Sequence, residues 1–166
     1  MSEVMECAAI VMRQECRSRG ISGRREKRGS VEISVLIPVF NERNTILEVI
    51  RRVQEQPFEK EIIIVDDCST DGTREIVQDY ADRGLVKLIL QDRPRGKGYA
   101  VRTGLEAVTG DVILIQDGDL EYSVEDYPSL LAPIEAGRAS FVLGSRHVSG
   151  RFISSVLRRQ DPACTS

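Results

Sequence analysis

The stretch Ile62-Ile-Ile-Val-Asp-Asp-Cys-Ser-Thr-Asp-Gly72 sets four consecutive β-branched residues against a run of acids and turn formers. A strand with one wet face alternates apolar and polar residues, so an unbroken apolar run belongs to a strand buried on both faces. The acids and turn formers end that strand. Thr70 or Asp71 suits a helix N-cap and Gly72 relaxes the turn. From Thr73 to Asp82 the residues Ile76, Val77 and Tyr80 recur at helical spacing, so a helix packs back on the sheet.

The same unit repeats on both sides. Ile33-Ser-Val-Leu-Ile-Pro38 is followed by Ile46, Val49, Ile50 and Val53 on one helical face, with Asn41 or Asn44 available as cap. Leu85 to Leu90 leads through Gln91-Asp-Arg-Pro-Arg-Gly-Lys-Gly98 into a helix carrying Val101, Leu105 and Val108. Asp111 to Gln116 is a fourth strand, Val124 to Ala136 a helix with Pro128 in its first turn, and Phe141 to Gly144 a last strand. This alternation predicts an α/β fold: a mainly parallel sheet with helices on both faces. Ligands of such sheets sit beyond the carboxyl ends of the strands, where each polar cluster of this chain falls.

A chain of 166 residues with 41% hydrophobic content suffices for one core. The net charge of -3 gives no general reason for a polyanionic partner, which argues against nucleic acid. Charge is uneven, however. Residues 13–28 carry seven Arg or Lys against Glu15 and Glu26, ahead of an acidic remainder. The chain therefore divides into a flexible basic extension (1–30), a folded domain (31–150) and a tail (151–166) without an assignable pattern. The basic arm suits peripheral contact with an anionic membrane surface, or with a partner chain. Four scattered cysteines and the lone His147 offer no zinc site. Without an apolar run of about 20 residues or a signal-like start, the reading is cytoplasmic.

Ile115-Gln-Asp-Gly-Asp-Leu-Glu-Tyr122 ends the fourth strand with Asp117, Asp119 and Glu121 at alternate positions. In an extended chain these side chains share one side, and converging carboxylates need a cation. Oxygen ligands select Mg²⁺ or Mn²⁺, and Gly118 permits close backbone approach. The plainer alternative has the acids capping the next helix and facing water. Of Asp66 and Asp67, one points into the crevice, where a carboxylate accepts a base N–H or a ribose hydroxyl; helix capping alone is the alternative. Phe40 suits stacking on a base and Glu42 bonding a sugar or base, or else they serve as core and first-turn residues. Arg93 to Gly98, with Lys97, forms a basic phosphate cradle at a helix N-terminus. It lacks the Ser or Thr of a Walker loop and the third glycine of a dinucleotide fingerprint. Arg146 suits clamping a phosphate, whereas His147 has no visible partner to orient it as a base.

In order and spacing, Ile37-Pro-Val-Phe-Asn-Glu42, Val65-Asp-Asp-Cys-Ser-Thr-Asp-Gly-Thr73, Arg95-Gly-Lys-Gly-Tyr-Ala100 with Gly104, Gln116-Asp-Gly-Asp-Leu-Glu121 and Gly144-Ser-Arg146 resemble the family-2 nucleotide-sugar glycosyltransferases of GT-A type. Within them the chain is most similar to the dolichol- and polyprenol-phosphate mannose or glucose synthases, over about residues 31–150. The resemblance implies a metal-dependent, inverting transfer of a sugar from a UDP- or GDP-sugar to a polyprenyl or dolichyl phosphate. By position it implies that Pro38, Phe40 and Glu42 line the nucleoside pocket. Val65 and Asp67 would contact the base, with Asp66 supporting the turn. Asp117 and Asp119, flanking Gly118, would be the metal-binding pair, assisted by Glu121, and Arg146 would lie near the donor diphosphate or acceptor phosphate. Members of the branch continue well beyond Gly-Ser-Arg, so a C-terminally truncated chain is expected, with the donor half present. The alternative reading is a catalytically silent nucleotide-sugar-binding module that needs another chain for its acceptor site. A phospho-receiver, suggested by Val65-Asp-Asp67, fails because a strand and helix precede that motif and no lysine ends the last strand.

Overall fold

The computed structural model describes residues 7–13, 32–120 and 124–145. Among them the strands are β1 (Cys7–Arg13), β2 (Ile33–Val39), β3 (Lys60–Asp66), β4 (Lys87–Leu90), β5 (Val112–Ile115) and β6 (Phe141–Ser145). The helices are α1 (Ile46–Gln54), α2 (Thr73–Asp82), α3 (Lys97–Leu105) and α4 (Tyr127–Glu135), the last preceded by a 3₁₀ turn over Val124–Asp126. One sheet runs in the order β4-β3-β2-β5-β1-β6. Its first four strands are mutually parallel, and β1 is antiparallel to both of its neighbours, so the sheet is mixed.

The apolar runs are buried on both faces as their composition requires. Val35, Ile37, Ile62, Ile64 and Leu114 pack toward α1, α2 and α4. Leu36, Ile63, Val65 and Ile113 pack toward α3 through Ala100, Val101 and Leu105. The α3 contact is flush because residue 104 is glycine: a Cβ there would lie 2.2 Å from Leu36 Cδ1, inside a core with no room to yield.

The structure corrects three local expectations. Residues 7–13, read as part of a flexible extension, form β1, hydrogen-bonded between β5 and β6. The ends of those strands leave one slot, and filling it buries Val11 on the α1 side while Met12 packs on the α3 side. The rest of residues 1–30, and the tail, lie outside the described residues. Neither Asn41 nor Asn44 caps α1; Asn41 takes a left-handed conformation (φ 57°), and Thr45 precedes the helix, its hydroxyl on Glu42 Oε2 at 2.9 Å. Gly72, not Thr70 or Asp71, occupies the N-cap of α2, although Asp71 Oδ1 accepts the Thr73 N–H at 3.0 Å and so satisfies one free donor of that helix. The Thr73 side chain, with smaller contributions from backbone N–H groups, holds the Asp71 carboxyl below its ordinary range.

At the opposite end of the sheet Glu61 ties four segments together. It accepts hydrogen bonds from Ser34 Oγ (2.5 Å), Lys87, Thr109 N (2.6 Å) and Thr109 Oγ1 (2.9 Å). Burial pushes this carboxyl up, but the Lys87, Ser34 and Thr109 donors together outweigh it and hold the group at about 2, against 4.5 ordinarily. A carboxyl depressed in the folded state stabilises the fold above its unfolded value, and that contribution is lost as pH falls. Acid titration monitored by circular dichroism should show wild type losing about 2 kcal/mol between pH 4.5 and 2 from this group. Glu61→Gln should start less stable at pH 7 and show a flatter decline over the same window.

Candidate active site

From β2 the chain passes through α1 to β3 and through α2 to β4, moving outward on one side, whereas α3 carries it back past β3 and β2 to β5. Connections leaving in opposite directions open a crevice between the carboxyl ends of β2 and β5. The strand ends are level there. Asp67 N donates to Val39 O (2.9 Å), Gln91 N to Asp66 O (3.0 Å) and Gln116 N to Leu36 O (3.0 Å).

A cavity of about 220 Å³ occupies the crevice. The end of β2 contributes Pro38, Val39, Phe40 and Glu42, the end of β3 Asp67, α3 Lys97 and Ala100, and the end of β5 Asp117, Gly118 and Asp119. Phe40 is half exposed, its ring available to a planar ligand. Gly118 packs against β2 so closely that a Cβ would come within 3.0 Å of Val39 Cγ1 and 3.2 Å of Glu42 Cγ. A wider hollow of about 510 Å³ lies at the amino ends of the strands, lined by residues such as Gln54, Lys60 and Leu85. Its ammonium, Lys60, is bound to the carbonyls of Gln56 (2.7 Å) and Phe58 (3.2 Å) and lies over the Phe58 ring, so it closes the end of α1. Partial burial lowers its pKa. Glu32 and Glu59 also line it, but among the described residues no glycine loop enters it, and the smaller cavity, with three aspartates and Lys97, is the candidate site.

The two adjacent aspartates point to opposite faces, as alternation along a strand demands. Asp66 is fully buried and takes Arg74 Nη2 at 2.6 Å, Arg74 Nε at 2.8 Å and the Ser69 N–H at 3.2 Å. The hydrogen bonds to Asp66 raise the Arg74 pKa above its ordinary value. Asp67 instead faces the basic loop. Its Oδ1 accepts Arg95 N (2.8 Å) and its Oδ2 accepts Gly96 N (2.6 Å). Each oxygen can accept a further hydrogen bond, and Asp67 is among the residues that line the cavity. Beyond the same loop, Lys97 Nζ lies 2.5 Å from Asp117 Oδ1. Beneath β5, the buried Tyr127 hydroxyl donates to Gln116 Oε1 (2.8 Å), and Gln116 Nε2 donates to the Asp117 carbonyl (3.2 Å). Burial pushes the Tyr127 phenol up, so it remains a donor.

Of the residues singled out from sequence, Pro38, Phe40, Glu42, Asp67, Lys97, Asp117, Gly118 and Asp119 come together. Val65 does not: it shares a face with Asp67 but lies two residues back along β3, where its side chain is fully buried under α3. Glu121, Arg146 and His147 lie outside the described residues. Sequence reasoning missed Arg74, Tyr127, Gln116 and Gln91. Arg74 carried a signal, since a cation in a first helical turn opposes the dipole and implies a specific partner. Gln91 carried none; its side-chain Nε2 and Oε1 are buried at the carboxyl end of β4 without a hydrogen-bond partner among the described residues.

Such a sheet, with acids and a basic glycine loop at its switch point, has the architecture of a GT-A-type glycosyltransferase domain. The chain belongs to the family described as glycosyl transferase family 2, whose model matches residues 34–161. Among its relatives is a dolichol-phosphate mannosyltransferase of Pyrococcus furiosus, 35% identical over 122 residues, covering 72% of this chain and 34% of the relative. A dodecaprenyl-phosphate galacturonate synthase of Rhizobium johnstonii is 32% identical, over 76% of this chain and 39% of its own. A solved mannosyltransferase of Pyrobaculum calidifontis, in complex with GDP-Man and Mn²⁺, superposes with a TM-score of 0.54 at 29% identity, covering 60% of this chain and 31% of that one. The chain thus spans about a third of the length of these relatives. No helix among the described residues is long and apolar enough to cross a membrane.

Because Asp67 anchors the loop by two charge-assisted bonds, Asp67→Ala should speed amide exchange at Arg95 and Gly96 by about tenfold or more, with a stability loss of about 1–3 kcal/mol. Hydrogen exchange read by NMR checks this; unchanged protection at both amides would show that the loop is held otherwise.

Proposed function

We propose that this chain binds a GDP- or UDP-sugar and serves its transfer, with inversion at the anomeric carbon, to a polyprenyl or dolichyl phosphate. The observation that carries this reading is the convergence of Asp67, Lys97, Asp117 and Asp119 on one cavity at the switch point. The names of the two polyprenyl-phosphate relatives support the acceptor class, and the GDP-Man and Mn²⁺ of the Pyrobaculum structure support the donor and cofactor.

In this reading Phe40 stacks on the base while Pro38 and Glu42 line the nucleoside, and Asp67 accepts a base N–H. Lys97, at the N-terminus of α3, faces the diphosphate. The donor set fits a hard divalent cation. Asp117 and Asp119 both line the cavity, and the strand end already attracts a cation, the Lys97 ammonium at 2.5 Å from Asp117 Oδ1. Asp117 and Asp119, with Glu121 and Arg146 from outside the described residues, are the groups proposed to hold Mg²⁺ or Mn²⁺ and the diphosphate. A bound cation supplies charge stabilisation to the leaving phosphate. An acceptor phosphate oxygen forms the new bond to the anomeric carbon as the bond to the β-phosphate oxygen breaks. The acceptor enters as an anion, so no protein base is needed and the lone His147 is not missed. The basic residues 13–28 are proposed to favour anionic lipid.

Calorimetry with GDP and UDP, with and without Mn²⁺, tests the donor site. Metal-dependent binding of one nucleotide is expected, and Asp119→Ala should weaken it more than about tenfold while leaving the melting temperature nearly unchanged. Absence of metal-dependent binding by folded wild type would reject the reading. Transfer of labelled sugar to a polyprenyl phosphate then separates an enzyme from a binding module that depends on another chain.

A further inference from the structure

The pairing of Lys97 with Asp117 goes beyond what donor binding alone requires. A lysine serving only as a phosphate ligand has no reason to rest 2.5 Å from a carboxylate, and a purely structural clamp would be expected to bury both partners. Here the two differ: the Lys97 side chain is 61% exposed and that of Asp117 17%. The backbone just before Lys97 is fixed, because Gly96 N is bound to Asp67, while the flexible four-carbon stem beyond it is free to pivot. The contact therefore joins a mobile cation to a fixed anion. With one partner largely in water, such a pair is weak and exchanges readily.

The lining also carries Asp119, so a divalent cation at this strand end would have a second carboxylate beside the one paired with Lys97. We infer that Lys97 is an exchangeable counter-ion: it neutralises Asp117 when no divalent cation is present, and turns to the nucleoside diphosphate when a cation takes Asp117. The inference rests on the cavity being the donor diphosphate site. Lys97 then does two jobs in sequence. Before the cation arrives it relieves repulsion between the carboxylates. Afterwards it adds a positive charge on the phosphate side, so cation and nucleotide each favour the binding of the other.

The test measures Mn²⁺ alone, by the loss of its free-ion electron paramagnetic resonance signal, and GDP and UDP at saturating Mn²⁺, by calorimetry. Wild type, Lys97→Met and Lys97→Arg are compared, all expected to melt alike because the side chain is largely exposed. Removing the competing ammonium should tighten Mn²⁺ binding in Lys97→Met about two- to fivefold, the range set by a weak ion pair. The same variant should bind the nucleotide about tenfold more weakly. Lys97→Arg should restore the nucleotide affinity. Opposite signs in one variant are what an exchanging counter-ion requires. If both affinities fall together, Lys97 is a structural clamp and the inference fails. It fails equally if Mn²⁺ affinity is unchanged while nucleotide binding falls, which marks a simple phosphate ligand, or if nucleotide affinity does not change. If wild type binds neither Mn²⁺ nor nucleotide, the donor-site reading fails with it.

Discussion

The constraint on which this structure depends is the placing of carboxylates at the ends of two strands that flank β2. Asp67 leaves β3, and Asp117 and Asp119 leave β5, into one cavity. Like charges brought together away from bulk water repel, and the repulsion grows as the local dielectric falls. A single short segment answers it. The loop before α3 offers two backbone N–H groups to Asp67 and then the Lys97 ammonium to Asp117. The loop is thereby bound to both sides of the crevice, and its conformation is set by the charges it answers.

The scaffold beneath is built to keep those carboxylates still. Asp66 and Asp67 divide the work by direction. Asp66 turns toward α2, where Arg74 and the Ser69 N–H satisfy it, and Asp67 turns toward α3 and the cavity. At β5 the arrangement is different in kind. Gln116 is buried and ties the Asp117 main chain to the Tyr127 hydroxyl on α4, so the exit of the strand is set from below. Because β1 pairs with the far side of β5, the acidic turn also leaves an interior strand instead of a free edge. A strand paired on both sides moves little, which suits a site whose charges must be in place beforehand.

Much of this was legible in the sequence because it is local. The four apolar runs became four parallel strands, Thr73–Asp82 became α2, and the polar clusters fell at strand ends, since burial on two faces and helical spacing leave a periodic record. What escaped was set by contacts distant in sequence. Cys7–Arg13 holds only Ile10 and Val11 as β-branched residues, and it is a strand because β5 and β6 leave it a slot. Asn41 has the composition of a cap, yet its side chain accepts the Thr70 N–H at 2.9 Å between the loops that follow β2 and β3, a partner that spacing cannot predict. Val65 faces the same layer as Asp67 but sits one pleat deeper, where α3 covers it. The anchoring of residues 95 and 96 by Asp67 spans 28 and 29 positions, and no local pattern encodes it.

The size of the cavity bears on how the site must work. At about 220 Å³ it is smaller than the roughly 300–1,000 Å³ common for small-molecule sites, so in the proposed function a nucleotide sugar would either extend beyond it or widen it. The β2 and β5 walls are poorly suited to this: their main chains are in register with one another, and Gly118 already packs at contact distance from Val39 and Glu42. The remaining wall is the end of β3 with the first turn of α3, where the loop before Lys97 is bonded through Arg95 N and Gly96 N to Asp67 and Lys97 itself is paired with Asp117. Those are the same carboxylates that a base and a cation would engage. In the proposed function, opening the cavity and exchanging its counter-charges would be coupled, because ligand groups would take over bonds that these carboxylates otherwise make within the protein.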